Sequence, residues 1–187
     1  MADYTYLVSD IKNTAEDEST EFIDAISKFV NKAENRLTRD LDDYGLVTFT
    51  SIAVSVSNPY VSLPSGTRIV KNFNVMVSGN RTSLLQRTDE FIHDYWPYVS
   101  ASVGTPKYYA RRTESSVLIA PTPVSTLDGQ IAHVNRPTTL SSAAPNNYYS
   151  DYCYDALFYA SMIEASFFMK SFSTIPAWQN EYTAAVD

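Results

Sequence analysis

Cysteine occurs once in this sequence, histidine twice and glycine only five times. A lone Cys153 excludes an internal disulfide, and with His93 and His133 it gives no spacing recognisable as a zinc site. Neither histidine stands in a nucleophile-elbow sequence, and there is no Gly-x-Ser-x-Gly and no Gly-rich phosphate loop. The sequence therefore offers no catalytic, cofactor-binding or metal positions, and a non-enzyme is expected. Long apolar runs are missing as well. The longest, Ala156 to Met169, contains Glu164 and falls short of the ~20 residues a membrane-crossing helix needs. Met1 to Asp10 has an acid at the third position and no basic flank before an apolar run, so neither a signal nor a transit peptide is expected, and synthesis in the cytoplasm of a producing cell fits.

Basic charge is in short supply: 14 Lys and Arg face 21 Asp and Glu, a net charge of −7. An acidic total disfavours a dedicated nucleic-acid binder, whose footprint is normally basic over the whole domain. The deficit is uneven. Residues 1–45 carry 5 basic and 11 acidic side chains, residues 46–137 carry 8 and 5, and residues 138–187 carry 1 and 5. The middle stretch reads as a separate lobe. With 187 residues, 44% of them hydrophobic, the chain can bury a real core. Tyrosine is abundant at 14 residues, and its apolar body with a polar tip suits surfaces that become buried on association.

The hydrophobic periodicity changes twice. Tyr4, Leu7, Val8 and Ile11 fall on one face of a short helix that Asp3 can cap. From about Thr20 to Leu41, the residues Phe22, Ile26, Phe29, Val30, Ala33, Leu37 and Leu41 make one apolar stripe, with Asp40 intruding in the last turn and Gly45 as the stop. From Val47 the pattern becomes β-branched and alternating, broken at Asn58-Pro59, Pro64-Ser65-Gly66 and Ser78-Gly79-Asn80, which predicts strands and hairpins. Asp89 to Trp96 predicts one or two helical turns. KYYARR and VLIA make a hairpin turning at TESS, with Tyr108, Ala110 and Arg112 on one face and Lys107, Tyr109 and Arg111 on the other. A further strand covers Leu127 to Arg136. After a polar connector, a helix is predicted from about Asp151 to Lys170, then a short one from Pro176. The fold class is α+β: a helical bundle of N- and C-terminal helices (residues 1–45 and 138–187) with an inserted antiparallel β lobe (residues 46–137), a small barrel or sandwich. The helix DYCYDALFYASMIEASFFMK is apolar nearly all round, so its burial is expected at a subunit interface or at the centre of a bundle.

Several constellations have both a chemical and a plain reading. Glu90 and His93 have the Glu-x-x-His spacing of di-metal bundles, but only one copy is present, so a surface helical pair is expected. Asp151 and Asp155 suit the first turn of a helix better than a cation. Asn80-Arg81-Thr82 is a turn, and Cys153 a small buried apolar residue. Lys107, Arg111, Arg112 and Arg136 with Tyr108 and Tyr109 could track a phosphate backbone, yet solvated strand faces carry the same residues routinely.

In order along the chain, AENRLTRDLDD, LPSGTRIVKNFNV, LLQRTDEFIHDYWP, GTPKYYARR, VLIAPTP and DYCYDALFYASMIEASFFMKSFSTIPAWQNEYTAAV resemble the head-to-tail adaptor (connector, neck) proteins of tailed bacteriophages. The resemblance implies a non-enzymatic virion structural protein at the head–tail interface. It would form a homo-oligomeric ring, usually twelvefold, beneath the portal protein, extend the DNA channel and receive a tail tube or nozzle protein. Genomic DNA would pass through it non-specifically, with no membrane and no cofactor involved. Aromatic anchors at element ends make Trp178, Tyr182, Phe168 and Phe172 the expected portal interface, and Tyr108, Tyr109 and Arg111 the expected lobe or tail-partner contact. The alternative is a soluble, non-catalytic binding module that recognises a polymer or peptide through its Tyr/Arg-rich β surface.

Overall fold

The computed structural model of the chain describes residues 3–41, 44–98, 101 and 103–186. Its helices in chain order are α1 (Tyr4–Ala15), α2 (Thr20–Asp40), α3 (Asp89–Tyr95), α4 (Tyr148–Tyr152), α5 (Tyr154–Phe168) and α6 (Ile175–Val186). Its strands are β1 (Val47–Val54), β2 (Tyr60–Ser62), β3 (Thr67–Val77), β4 (Asn80–Gln86), β5 (Val103–Gly104), β6 (Tyr108–Thr113), β7 (Ser116–Ala120), β8 (Thr122–Pro123) and β9 (Leu127–Asn135). This is a mixed α+β fold. The chain divides into two compact units, one comprising Met1–Gly45 with Pro137–Asp187, the other Leu46–Arg136.

In the first unit the Asp3 carboxylate accepts the Tyr6 N–H at 2.8 Å and starts α1, and the Ser19 hydroxyl accepts the Phe22 N–H at 3.3 Å and starts α2. Both satisfy a backbone donor that has no partner inside the helix. The stripe Phe22, Ile26, Phe29, Val30, Ala33 and Leu37 is buried as its spacing requires. Gly45 is not the stop of α2, which ends where Leu41 turns extended. Gly45 instead lies under the Tyr148 phenol, where a Cβ would overlap the ring. Asp40, the intruder on the stripe, accepts the Tyr182 hydroxyl at 2.7 Å.

The helix expected to run unbroken from Asp151 is two helices. The Asn147 side chain accepts from the Tyr149 and Ser150 N–H groups, and the Ser150 hydroxyl accepts from the Asn147 N–H, a reciprocal cap that starts α4 inside the supposed connector. Cys153, at φ −132° and ψ 36°, then breaks the helix before α5. The whole turn is fastened to Glu34, a carboxylate only 7% exposed on the inner side of α2. Its Oε1 accepts the Leu140 N–H at 3.1 Å and the Asn147 side-chain amide at 2.6 Å. Burial raises its pKa, against the pull of these two donors.

α5 is enclosed by its own chain. Ala156, Leu157, Ala160, Ser161, Met162, Ile163, Ala165 and Ser166 are buried, and α2 and α6 pack along it with α1 and α4 beside them. Over this length the helical bundle itself provides the burial expected of a bundle centre. Glu164, the carboxylate in the apolar run, meets Lys32 at 3.0 Å and Arg36 at 3.5 Å. Among the described residues no helix is long and apolar enough to cross a membrane.

The second unit is a seven-stranded sheet ordered β1-β9-β3-β4-β6-β7-β2, nearly closed into a barrel. Every strand of that sheet sends residues into one core, including Val54, Val61, Phe73, Leu84, Tyr109, Val117 and Ile131. Ser78 and Gly79, both at positive φ, form the two-residue turn between β3 and β4. The lobe is not antiparallel throughout. β4 and β6 run parallel, with Leu85 opposite Tyr108, because the connection between them is long enough to carry α3 across. β5 and β8 make a second, short parallel pair. α3 lays Ile92 on Ala110, Leu118 and Ala120 of the outer face. Inside, the fully buried His133 lies between two hydroxyls, Thr50 Oγ1 at 2.9 Å from Nε2 and Thr67 Oγ1 at 3.0 Å from Nδ1. Burial holds its pKa below the ordinary imidazole value, outweighing an upward pull from Asn135.

Two outcomes are expected. Glu34→Ala leaves the Leu140 N–H without its acceptor and lowers unfolding free energy by about 2 kcal/mol in urea titration, whereas Glu34→Gln, which keeps an acceptor oxygen, loses less. For His133 the folded state holds the ring neutral while the unfolded chain takes up a proton near about pH 6.5. Stability is then lost as pH falls below that value, and His133→Gln flattens this part of the stability–pH profile.

Candidate functional site

The candidate sites are surfaces that leave large aromatic side chains exposed. The first lies at the end of α5. Lys170 adopts a left-handed φ of 58°, its N–H bonds the Phe167 carbonyl, and the Ser171 N–H bonds the Ser166 carbonyl. These paired bonds stop a helix and turn the chain sharply. Thr174 pins the turn through its hydroxyl to Ser166 and Ser171. The turn leaves three phenylalanines outward: Phe167 is 50%, Phe168 45% and Phe172 61% exposed. Phe167 and Phe172 meet edge to face, and Phe168 rests on the buried Phe22 and Phe29 at 6.1 and 5.4 Å. Exposed rings seated on buried ones are held rigidly, as contact anchors are.

A second feature of this unit is a row of rings, Tyr6–Tyr154–Phe158–Trp178–Tyr159, with neighbouring centroids 5.7 to 6.4 Å apart. Trp178 is half-buried in it, stacked on Tyr159 and edge-on to Phe158. The Tyr154 hydroxyl donates to Asp10 at 2.8 Å, and burial with that bond drives its pKa well up. Tyr182 is elsewhere and inside: 4% exposed, bonded to Asp40, with the Arg36 guanidinium 5.6 Å above its ring. Burial first and the Asp40 bond second raise its pKa. Of the four aromatic residues expected at an interface, Phe168 and Phe172 share one patch, Trp178 belongs to the row, and Tyr182 is internal. Periodicity alone did not single out Phe167, Tyr154 or Phe158. Positions 154 and 158, four apart on an apolar helix, were the available signal.

In the β unit the Tyr-Arg segment splits by strand parity. Tyr109 is 2% exposed, edge-on to Phe73, with its pKa raised by burial. The Arg111 guanidinium donates to the carbonyls of Thr67 and Arg68 at 2.9 Å, Glu114 at 2.7 Å and Thr113 at 3.3 Å. Its donors tie β6 and the β6–β7 turn to the start of β3. Tyr108 is half-buried on the opposite face, against Phe91 at 5.6 Å and Trp96 at 5.4 Å, with the Arg87 guanidinium 5.8 Å from its ring. Arg112 points outward with it, 4.9 Å over the Tyr60 ring. The outward basic residues around these rings are thus Arg87 and Arg112.

The remaining constellations are local. His93 pairs with Asp89 at 3.2 Å rather than with Glu90. Among the described residues no group of three or more His, Cys, Asp and Glu is placed to hold a metal ion. Cys153 is half-buried, and burial raises its thiol pKa. An open groove of about 490 Å³ on the outer sheet face is lined by Ser51, Asn74, Met76, Arg81, Asp128 and Gln130.

Among curated proteins nothing matches the chain. The family model described as SU10 adaptor protein matches residues 2–187, across both the helical unit and the barrel-like sheet. Proteins of this kind are structural components of the virion that bind other head and tail proteins, which fits a molecule whose candidate sites are aromatic surfaces. On a match of that extent, the chain belongs to the SU10 adaptor protein family, a family of bacteriophage head–tail adaptors.

Proposed function

We propose that copies of the chain form a ring beneath the portal protein, extend the channel through which the genome passes, and give the tail tube or nozzle protein its docking platform. The ring is homo-oligomeric and twelvefold, as the resemblance implies. The helical body (residues 1–45 and 138–187) packs in the ring and the β lobe (residues 46–137) stiffens it.

The observation that carries this reading is the phenylalanine patch at the end of α5. From Ala156 to Ser166 most of α5 is buried by its own chain, and past that point Phe167, Phe168 and Phe172 are among the large apolar side chains left exposed. A turn that leaves three rings exposed, one of them seated on buried Phe22 and Phe29, costs solvation in an isolated subunit and gains it back on docking. Trp178 and its neighbouring rings offer a second contact. The acidic helical body supplies the bore: each phosphate held by a basic bore would strengthen binding and slow passage. DNA therefore passes through without specific contacts. The alternative, polymer or peptide recognition through Tyr108, Tyr109 and Arg111, has less support, because Tyr109 is in a core and the Arg111 donors are engaged with backbone carbonyls.

The reading is tested by mixing the purified chain with the portal protein of the same phage and following mass by size exclusion with light scattering. A portal-dependent ring is expected, and a chain that stays monomeric beside the portal rejects it. Phe167→Ser with Phe172→Ser should weaken portal binding about tenfold or more, while the melting transition stays close to that of the unaltered chain.

A further inference from the structure

The two units carry opposite charge. Leu46–Arg136 holds 8 basic and 5 acidic side chains, whereas Met1–Gly45 with Pro137–Asp187 holds 6 basic and 16 acidic. A molecule with a net charge of −7 repels its own copies. Any ring it forms needs a place where that repulsion reverses.

One surface of the β unit is built for this. Arg87 and Arg112 are exposed, and neither meets a carboxylate among the described residues. Each is held over aromatic rings instead: Arg87 5.7 Å from Phe91 and 5.8 Å from Tyr108, Arg112 4.9 Å from Tyr60 with its Nη1 donating to the phenol oxygen at 3.0 Å. Phe91, Tyr95, Trp96 and Tyr108 form one contiguous ring cluster beneath Arg87, Tyr60 beneath Arg112 lines one pocket with Trp96, and Tyr95 remains 67% exposed. A guanidinium stacked on a ring keeps its in-plane donors free for a carboxylate, and its rotamer freedom is already restricted before a partner arrives.

We infer that this arginine–aromatic platform of one copy docks on the acidic helical unit of the next copy. The argument is charge complementarity. The densest acidic stretch of that unit, Glu16, Glu18, Glu21 and Asp24, is exposed and has no cationic partner among the described residues, and Ile23 beside it is 37% exposed. A contact between two different surfaces of identical subunits is heterologous, and such contacts propagate in one direction until a ring closes. Complementary charge fixes that direction, because platform against platform and acid against acid both repel. This inference rests on the ring reading above and adds which surfaces join neighbouring subunits.

Two sets of full-length variants test it, both assembled on the portal protein and followed by light scattering. The first carries Arg87→Glu and Arg112→Glu, the second Glu18→Lys, Glu21→Lys and Asp24→Lys. Each set alone should yield about tenfold less ring than the unaltered chain. An equimolar mixture should recover to within about twofold of it, because reversed platforms then meet reversed helical units in alternation. For the unaltered chain, ring yield should fall as salt rises from about 0.05 to about 0.5 M, where the screening length contracts. Full assembly by either set alone, absence of recovery when both sets are folded by circular dichroism, or a salt-independent yield each overturns the inference and leaves the ring reading standing. An unaltered chain that does not assemble on the portal overturns both.

Discussion

A helix without a polar face has to be enclosed, and enclosing α5 orders the whole helical unit. Two partners cover most of it: α2 with its long apolar stripe, and α6 folded back after the Lys170 turn. The helix carries Glu164 where α2 can answer with Lys32 and Arg36. Arg36 reaches further, over the Tyr182 ring and to Gln179, so one side chain of α2 touches both helices that flank it. These bridges are half-exposed and individually weak. Burial of Leu157, Met162 and Ile163, each worth about 2 kcal/mol, outweighs them, and the charges mainly fix how the helices are rotated.

Enclosure has a limit set by length. Past Ser166 only Phe168 still rests on α2, through Phe22 and Phe29, and the chain turns away with Phe167 and Phe172 outside. The same economy appears in the β unit, where seven strands fill one interior and α3 covers only part of the outer face. What is left over in each unit differs in chemistry. The helical unit ends in bare phenylalanines, and the β unit ends in tyrosines and tryptophan overlaid by arginines. A structural adaptor with contacts to head proteins, tail proteins or its own copies gains from surfaces that differ so plainly, because a surface suited to one kind of partner is then poorly suited to another.

Much of this was legible in the sequence because periodicity reports burial directly. The α2 stripe, the cap at Asp3, the hairpin at Ser78-Gly79 and the alternation in β6 all follow from spacing and turn chemistry. What was not legible shares one cause, which is that a polar residue can be recruited by distant partners. Glu34 looks like a solvated helix residue until Leu140 and Asn147, more than a hundred positions away, supply its hydrogen bonds. Asn147 looks like a connector residue until its cap starts α4. His133 looks like a surface residue of a strand until Thr50 and Thr67 close on both ring nitrogens. Gly45 looks like a helix stop, yet its small size serves the Tyr148 ring.

The candidate surfaces show the same division at finer grain. Composition alone makes residues 107–112 a single basic-aromatic segment, but a strand sends adjacent side chains to opposite faces. That alternation puts Tyr109 against Phe73 in the core and turns Arg111 to the backbone carbonyls of the β3 start, while Tyr108 and Arg112 go to the other side. Arginine satisfied by four carbonyls is a structural tie, and substituting it would loosen the lobe rather than remove a contact. Arg112, stacked on the Tyr60 ring and spending Nη1 on its phenol oxygen, is instead an exposed side chain that bonds no backbone carbonyl. The distinction between scaffold and surface in this segment therefore rests on one step of register. Arg87 and Arg112 keep exposed guanidinium edges, whereas Tyr109 and Arg111 are committed to the fold.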